Sequence, residues 1–402
     1  MTRLRNLAGW LVVPMVVGMQ FLDLRRGLVG PGWVWSAFLV GFALVAVLGL
    51  PLVWRRLGEV ETPGWIGLGL FTVLLGWAGI SALTSGTPLV TARTLPGSTP
   101  PDVWTAPGMT YRLVPLLTAW LTMAAGIITL LLAERRVRVD RLWWAGIALL
   151  VTTPIAWLRN ILNTGSMRLA TGMGGSATIH LVLLLCLGLF LGAAWQGHRR
   201  RLSWAAAGFA AVLLLLTGSR AGLASLLVFA VLVLMWMVRR VPGRLLALGS
   251  GMAVAAGAAV LALSPTAQRL FVLGDEARRT NVETAWQVWT QDSSSLWWGV
   301  GSGRLWPWYA FDARYFIAPH RSQVSAEVGR LLTNPHSVPL GVAVELGLVG
   351  LGLLVGFVAA LVWMLVREWR RRDGLGDVSS GLGLALVAGL LAFLVDYYPV
   401  SY

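Results

Sequence analysis

The chain has 402 residues, of which 57% are hydrophobic and only 12% are charged. An ordinary soluble domain carries about twice that share of charge, so the composition excludes a typical soluble enzyme and indicates a polytopic membrane protein. All 32 basic side chains are arginines, and the formal net charge is +15. Because the arginines stand in short clusters between apolar runs, we interpret most of them as topology determinants and expect no nucleic-acid partner.

The apolar runs predict an all-α protein with about eleven transmembrane helices, forming a single domain over residues 1–402. The predicted spans are residues 7–22, 34–53, 65–83, 113–132, 143–158, 177–195, two spans within 202–238, and then 245–263, 337–366 and 381–395. The region 202–238 is too long for one crossing and is interrupted by Thr217-Gly218-Ser219-Arg220, so we divide it there. The basic residues at the N-terminus are not followed by a convincing cleavage site, and no cleaved signal is expected.

Arginine clusters follow every second predicted span, and this alternation predicts the topology. They come after spans two, four, six, eight and ten, which makes those loops cytoplasmic by the positive-inside rule. The N-terminus is then cytoplasmic, and the odd-numbered spans end on the outer side. Arg25-Arg26 is the one pair that falls outside by this count.

Three segments are predicted to lie outside the membrane: residues 85–112, 159–176 and 264–333. The last connects the ninth span to the tenth and is far longer than an ordinary connection. It mixes arginines with tryptophans, and its residues 277–290 fit an amphipathic helix. Aromatic side chains at this level either anchor in the membrane interface or stack on sugar rings, and we expect anchoring for most of them.

A histidine stands where the long outer segment meets the tenth span. In the sequence Asn334-Pro335-His336-Ser337, Asn334 can cap the following helix and Pro335 suits its first turn. The positive end of the helix dipole disfavours a second positive charge on His336. Its imidazole is therefore expected to be neutral and able to act as a general base.

Arginines outside the cytoplasmic clusters are candidates for binding an anion. Arg220 marks the outer tip of the hairpin between spans seven and eight, where it either snorkels or holds phosphate oxygens with its planar fork. Ionisable groups within membrane segments are functional candidates by default, so we favour the anion clamp. Arg168, Arg278 and Arg279 face the same compartment, and for each the alternative is a solvated or interfacial arginine.

Other polar residues are expected to be structural. His180 lies inside the start of span six, where it either bonds a ligand or is a satisfied buried histidine, and we favour the second. Glu345 is about two and a half helical turns beyond His336, too far for contact, and should bond a neighbouring helix or an arginine. Gly299-Val300-Gly301-Ser302-Gly303 does not open a strand-to-helix crossover and is interpreted as a turn-rich loop. The only cysteine, Cys186, excludes intrachain disulfides and multi-thiolate metal sites.

In their order along the chain, four motifs resemble the O-antigen ligase/polymerase superfamily. They are Thr217-Gly218-Ser219-Arg220-Ala221-Gly222, Arg279 ahead of Trp286, Gly299-Val300-Gly301-Ser302-Gly303, and Asn334-Pro335-His336-Ser337 leading into Glu345-Leu346-Gly347-Leu348-Val349-Gly350. The resemblance covers the C-terminal half best, and the first five spans match only as hydrophobic helices. Members often have twelve spans, one more than this chain predicts, so the side on which the C-terminus lies stays open.

The resemblance implies a GT-C-type glycosyltransferase in the bacterial cytoplasmic (inner) membrane, with its active site on the periplasmic face. Such an enzyme moves a glycan from undecaprenyl diphosphate to a hydroxyl acceptor, without a nucleotide sugar, cofactor or required metal. The family's essential histidine corresponds to His336. Its diphosphate-binding arginines correspond to Arg220, to Arg279 or Arg278, and to Arg168.

The resemblance leaves the acceptor open. A ligase would use lipid A–core and act in lipopolysaccharide biosynthesis, whereas a polymerase would use a second lipid-linked repeat unit. A flippase or another transporter of lipid-linked oligosaccharides is a third interpretation. Transporters often contain inverted repeats with discontinuous helices at matching positions, and no such pairing is visible here. The long segment on one side of the membrane favours an enzyme.

Overall fold

A computed structural model describes residues 9–21, 32–85, 109–132, 135–165, 167–171, 176–237, 251, 276–303, 337–371 and 378–395. Within these ranges the chain is helical and contains no strand. The helices are α1 (Val12–Phe21, preceded by the 3₁₀ helix Gly9–Leu11), α2 (Gly32–Val53, followed by the 3₁₀ helix Trp54–Glu59), α3 (Thr62–Thr84), α4 (Met109–Leu132), α5 (Arg135–Thr164), α6 (Ser176–Trp195), α7 (Arg200–Leu216), α8 (Arg220–Met237), α9 (Glu276–Trp289), α10 (Ser293–Trp298), α11 (Val338–Arg371) and α12 (Val378–Val395). The predicted all-α class is confirmed for the described part of the chain.

Helices occupy the predicted spans wherever the structure describes them. The long apolar region divides into α7 and α8 at Thr217–Ser219, as its polar interruption predicts. The amphipathic helix predicted over residues 277–290 is α9. The predicted ninth span lies outside the described residues, apart from Gly251. The total of eleven spans and the outer placement of residues 264–333 therefore stay predictions.

Several described helices have the length and composition of membrane spans. Among the described residues, four helical stretches are long and apolar enough to cross a membrane: Val40–Glu59, Thr62–Thr84, Arg138–Leu162 and Val338–Arg367. Four shorter apolar stretches accompany them: Leu116–Leu132, Ile179–Trp195, Ala221–Leu234 and Val378–Leu390. Many large apolar side chains on these helices are exposed, as lipid-facing residues would be. The chain is a helical membrane protein.

The first of two compact units contains α1, α5 to α8 and α12. Its core is centred on α6, where Leu183, Leu184 and Phe190 are fully buried. Helix α12 joins this core by direct backbone contact, since a Cβ on Gly381 would collide with the carbonyl oxygen of Gly188. Small residues at such crossings let helix backbones approach closely, which is a main source of packing energy inside membranes.

A polar cluster fastens α5 to the turn between α6 and α7. Arg199 donates to Asp140 Oδ1 at 3.0 Å, and its guanidinium lies 4.6 Å and 4.7 Å from the ring centroids of Trp143 and Trp144. Trp143 Nε1 donates to Ser203 Oγ at 2.9 Å in a buried position. An arginine of a predicted cytoplasmic cluster thus also has specific partners within the fold.

The second unit contains α2, α3, α9, α10, most of α4 and the part of α11 up to Leu361. One core patch joins α3 to the start of α11, and it includes Leu74, Ala78, Val342 and Leu346. A second patch places α9 on the same part of α11, through Ala285, Trp289, Ala343, Val344 and the nearby Val300. The beginning of α11 is therefore the element on which this unit is assembled.

The start of α11 differs from the prediction. Ser337 directly precedes the first helical residue, Val338. Its Oγ accepts from the N–H of Leu340 at 3.4 Å, and its carbonyl accepts from the N–H of Gly341 at 2.9 Å. Ser337 therefore occupies the capping position that was predicted for Asn334. The N–H of Leu340 has no acceptor within the first turn of the helix, and the Ser337 hydroxyl, three residues earlier, is placed to accept from it.

Candidate functional site

The structure describes the predicted site residues to different extents. His336 lies outside the described residues. Arg220, Arg278 and Arg279 lie in described helices, where only their backbone positions are given. Arg168, His180 and Glu345 are described with their side chains. Arg168, His180 and Arg220 belong to the first unit, and Arg278, Arg279 and Glu345 to the second, so the two groups are treated separately.

In the first unit, the hairpin between α7 and α8 is built from local caps. Gly218 takes a left-handed conformation (φ +58°), which turns the chain after α7. Ser219 caps α8, since its Oγ accepts from the N–H of Gly222 at 3.1 Å. Arg220 is consequently the first residue of α8. This end of a helix carries free N–H groups and a partial positive charge, both of which favour a bound anion.

Arg168 fastens the segment before α6 to this hairpin. Its Nε donates to the carbonyl of Thr217 and its Nη2 to the carbonyl of Gly218, each at 3.3 Å. The N–H of Leu169 adds a third bond, to the carbonyl of Leu216 at 3.3 Å. A cation is favourable at these carbonyls because they form the negative end of α7. The structure thus brings Arg168 to the hairpin that carries Arg220, as a support of its backbone.

His180 lies behind the hairpin, where α6 and α8 touch. The imidazole is fully buried. A Cβ on Gly222 would stand 2.9 Å from the His180 Cβ and 3.0 Å from its Cγ, which is closer than real contacts allow. Gly222 therefore lets α8 pack directly against His180. This contact explains why a glycine stands two positions after Arg220.

In the second unit, α11 is broken at Gly347 (φ +69°, ψ −169°). Three consecutive carbonyl groups before the break accept hydrogen bonds from other segments of the chain. Val344 O accepts from Val300 N at 2.8 Å, Glu345 O from Gly301 N at 3.0 Å, and Leu346 O from Trp77 Nε1 at 3.1 Å. The break therefore creates a docking point, because a regular helix uses such carbonyls within itself.

Residues 299–303, which we name the docking loop, occupy this point. Four consecutive N–H groups of the loop donate to protein acceptors: Val300 to Val344 O, Gly301 to Glu345 O, Ser302 to Ser81 Oγ at 3.1 Å, and Gly303 to Glu345 Oε2 at 3.0 Å. A phosphate-binding loop turns such groups toward its anion. Here they are directed to α11 and α3, so this glycine-rich sequence serves to dock the loop onto those helices.

The glycines of both motifs are required by the contact between the two backbones. A Cβ on Gly299 (φ +79°) would collide with the carbonyl of Glu345. A Cβ on Gly347 would collide with the carbonyl of Trp297. Two of the motifs that carry the family resemblance thus meet in space, and one docking contact explains Gly299 in the first and Gly347 in the second.

Glu345 is 8% exposed and is directed at the docking loop. A buried carboxylate needs hydrogen-bond donors, and the structure supplies the backbone N–H of Gly303. The sequence predicted a bond from Glu345 to a neighbouring helix or to an arginine, and that stays a prediction. The hydrogen bond to Gly303 is a contact that the sequence did not predict, because the donor is a main-chain group.

Two contributors to this site carried no sequence signal strong enough to single them out. Trp77 and Ser81 lie one turn apart on α3, facing α11 and the docking loop. Trp77 also contacts Trp298, with ring centroids 5.7 Å apart. Their only signature is a tryptophan and a serine at i and i+4 within an apolar span, which places two donor or acceptor groups on one helix face.

The short helix α10 connects α9 to the docking loop. Asp292 caps it, accepting from the N–H of Ser295 at 2.7 Å. This backbone hydrogen bond, with a second from the Ser295 hydroxyl, lowers the pKa of Asp292 below its ordinary value. Trp289 Nε1 donates to the carbonyl of Leu296 at 3.2 Å. These contacts fold α10 back on the end of α9.

The fold and these residues define a helical membrane protein with an arginine at the start of one helix and the docking loop bound at the break of another. Residues 205–355 match the family model described as O-Antigen ligase. The match contains the hairpin, the docking loop and the beginning of α11, and it confirms the resemblance to the O-antigen ligase/polymerase superfamily. A ligase- or polymerase-type function is thereby supported. A comparison with curated proteins found no match.

Proposed function

We propose that this protein is a membrane glycosyltransferase that moves a glycan from undecaprenyl diphosphate to a hydroxyl acceptor on the periplasmic face of the inner membrane. The observation that carries the proposal is the O-antigen ligase match over residues 205–355, which includes Arg220, Arg278, Arg279 and His336. The proposed reaction joins O-antigen to lipid A–core in lipopolysaccharide biosynthesis. The alternative is a polymerase whose acceptor is a lipid-linked repeat unit.

In this proposal, arginines neutralise the charge of the departing lipid diphosphate. Arg220 is the first residue of α8, where the helix terminus adds its own partial positive charge. Arg279, or its neighbour Arg278, supplies a second guanidinium from the first turn of α9. Fixed cations near a leaving group stabilise the charge that develops on it, and here they would take the place of a metal ion. No nucleotide sugar is required in this proposal, because the lipid diphosphate is itself the activated donor. Arg168 contributes by holding the hairpin in place.

His336 is the proposed general base. The acceptor hydroxyl gives its proton to the imidazole while its oxygen attacks the anomeric carbon of the donor sugar. The bond between that carbon and the phosphate oxygen breaks, and the electron pair leaves with the diphosphate. Direct displacement inverts the configuration at the anomeric carbon. A positioned base of this kind contributes roughly 10²- to 10⁴-fold to the rate.

The test is transfer from a defined lipid-linked donor by purified variants. His336→Ala and Arg220→Ala should each lower the rate of transfer by about 100-fold or more. His198→Ala and Arg201→Ala serve as matched controls in a predicted cytoplasmic cluster and should keep wild-type rates. A well-folded His336→Ala protein with the wild-type rate would overturn the assignment of the base.

The acceptor is decided by a different experiment, the glycan profile of a deletion strain. Free lipid-linked polymer accumulates when a ligase is lost, because polymerisation continues without transfer to lipid A–core. Lipid A–core carrying a single repeat unit accumulates when a polymerase is lost. The first outcome supports the proposed ligase, and the second replaces it with the polymerase.

A further inference from the structure

We propose that Glu345 is a positioning residue for glycosyl transfer, and that it acts by fixing the docking loop on the broken helix α11. The inference rests on the proposed function for the reaction that is served. It goes beyond that function because neither the family match nor the proposed chemistry gives Glu345 a role.

Glu345 holds the docking loop with both its main chain and its side chain. Its carbonyl accepts from Gly301 N, and its Oε2 accepts from Gly303 N, each at 3.0 Å. The residue between them, Ser302, donates its N–H to Ser81 of α3. Without the side-chain acceptor, the buried N–H of Gly303 would lose this hydrogen bond, and the loss of a partner is costly for a buried donor. One buried side chain therefore decides whether the end of the loop stays in register with α11.

The docking loop in turn fixes α9 and α10 on the same helix. Ala285 and Trp289 of α9 pack with Ala343 and Val344 of α11, next to Val300 of the loop. The first turn of α9 contains Arg278 and Arg279, and α11 begins two residues after His336 in the sequence. The docking loop thus joins α9, which carries a proposed diphosphate-binding arginine, to α11, which follows the proposed base in the sequence.

Positioning explains why such a loop would matter for rate. A misplacement of about 1 Å between reacting groups costs on the order of 100-fold, even when the altered residue is far from the chemistry. The Glu345 carboxylate is bound to the docking loop, so the proposed role requires no proton exchange with His336. Its role needs only a hydrogen-bond acceptor, which glutamine also provides.

The first measurement compares kcat, KM for a lipid-linked donor and thermal stability in detergent. Glu345→Ala should lower kcat by about 10-fold or more while KM changes little, and Glu345→Gln should restore most of the activity. Phe71→Leu is the matched control, since it removes an α3–α11 ring contact (centroids 5.2 Å apart) without touching the docking loop. Phe71→Leu should keep the wild-type kcat even where it lowers thermal stability as much as Glu345→Ala does.

The second measurement does not depend on activity. In a Cys186→Ala background, spin labels are attached at Gln287→Cys on α9 and Val355→Cys on α11, both exposed positions. The distance distribution between the labels should be narrow with Glu345 and with Glu345→Gln. With Glu345→Ala its width should at least double, because α9 loses a tether to α11.

Each of the following outcomes would overturn one part of the proposal. If Glu345→Gln is as inactive as Glu345→Ala, the charge of the carboxylate is needed and the positioning role is wrong. If Phe71→Leu loses kcat to the same extent, the effect is general destabilisation. An unchanged distance distribution in Glu345→Ala overturns the docking argument itself. If the wild-type protein transfers no glycan from any lipid-linked donor, the proposed function fails, and the distances then report on docking alone.

Discussion

Gly347 lies so close to Trp297 that a Cβ on residue 347 would collide with the tryptophan's carbonyl oxygen. The same glycine breaks α11, with φ +69° and ψ −169°, a conformation that side-chain-bearing residues rarely adopt. The break and the approach of α10 therefore depend on one residue. A protein that lost this glycine would have to give up either the break or the contact.

Gly347→Ala should destabilise the protein, because the alanine is strained at this backbone conformation and collides with Trp297. Strain of this kind costs roughly 1–3 kcal/mol, before the loss of the loop's hydrogen bonds. Thermal unfolding in detergent measures the effect. Gly352→Ala in the same helix is the control, since a Cβ there meets nothing within 4 Å. It should be neutral or stabilising by up to about 1 kcal/mol. Equal unfolding temperatures for the two variants would contradict the break.

Arg168→Lys should be almost as destabilising as Arg168→Ala. The arginine reaches two carbonyls with two nitrogens of one fork, a geometry that a lysine ammonium cannot reproduce. Losing these charge-assisted bonds should cost roughly 1–3 kcal/mol, seen as a lower unfolding temperature. Arg159→Ala, which removes a single exposed bond to the Phe21 carbonyl, should cost less. Full stability of Arg168→Lys would show that charge alone suffices.

Gly381→Ala should weaken the attachment of α12 to α6. Its Cβ would collide with the backbone of Gly188, which cannot move as a flexible side chain can. Forcing the two helices apart should cost roughly 1–3 kcal/mol. The unfolding temperature is the measure, with Gly208→Ala in α7 as the control because nothing lies within 4 Å of its Cβ. A tolerated Gly381→Ala would mean that α12 does not pack there.

The cap of α10 should weaken in acid. Hydrogen bonds from Ser295 lower the pKa of Asp292 below its ordinary 3.8, so the folded state favours the carboxylate. Its contribution to stability is complete above that ordinary value and is lost as the pH falls through the lower pKa of the folded state. Amide-exchange protection of residues 293–298 should therefore be unchanged from pH 7 to pH 5 and fall below about pH 3.8.

Asp292→Asn provides the control for this pH dependence. Asparagine is also a good N-cap but does not titrate, so protection of α10 should be independent of pH. Asp292→Ala should show low protection throughout. A wild-type protein whose α10 is equally protected at pH 7 and pH 2.5 would contradict the assigned cap.

The helices were predictable because a membrane span must satisfy its backbone hydrogen bonds within itself and present apolar side chains to lipid. That requirement sets the length and the hydropathy of each span, and both can be read from the sequence. The division at Thr217–Ser219 could be predicted for the same reason, since a polar, glycine-containing interruption cannot continue an apolar span. The amphipathic helix α9 was predictable from its periodicity.

The partners of individual residues were not predictable. The sequence favoured Asn334 as the cap of α11, yet two capping residues three positions apart are equally plausible until the first helical turn is placed. The sequence could not identify Gly303 as a partner of Glu345, because a backbone N–H has no sequence signature. The roles of Trp77 and Ser81 could not be predicted for a related reason. The partner of a polar atom in an apolar span can be identified only when the facing element is known.

The sequence by itself indicated an all-helical membrane protein that resembles the O-antigen ligase/polymerase superfamily over its C-terminal half, since hydropathy and motif order can be read directly from the chain. It also nominated Arg220 and His336, whose roles stay proposals. Tertiary structure alone decided that the glycine-rich motif docks on the break in α11 and that Arg168 supports the arginine hairpin. Those contacts join residues far apart in the chain through backbone atoms, and backbone atoms are the same at every position of a sequence.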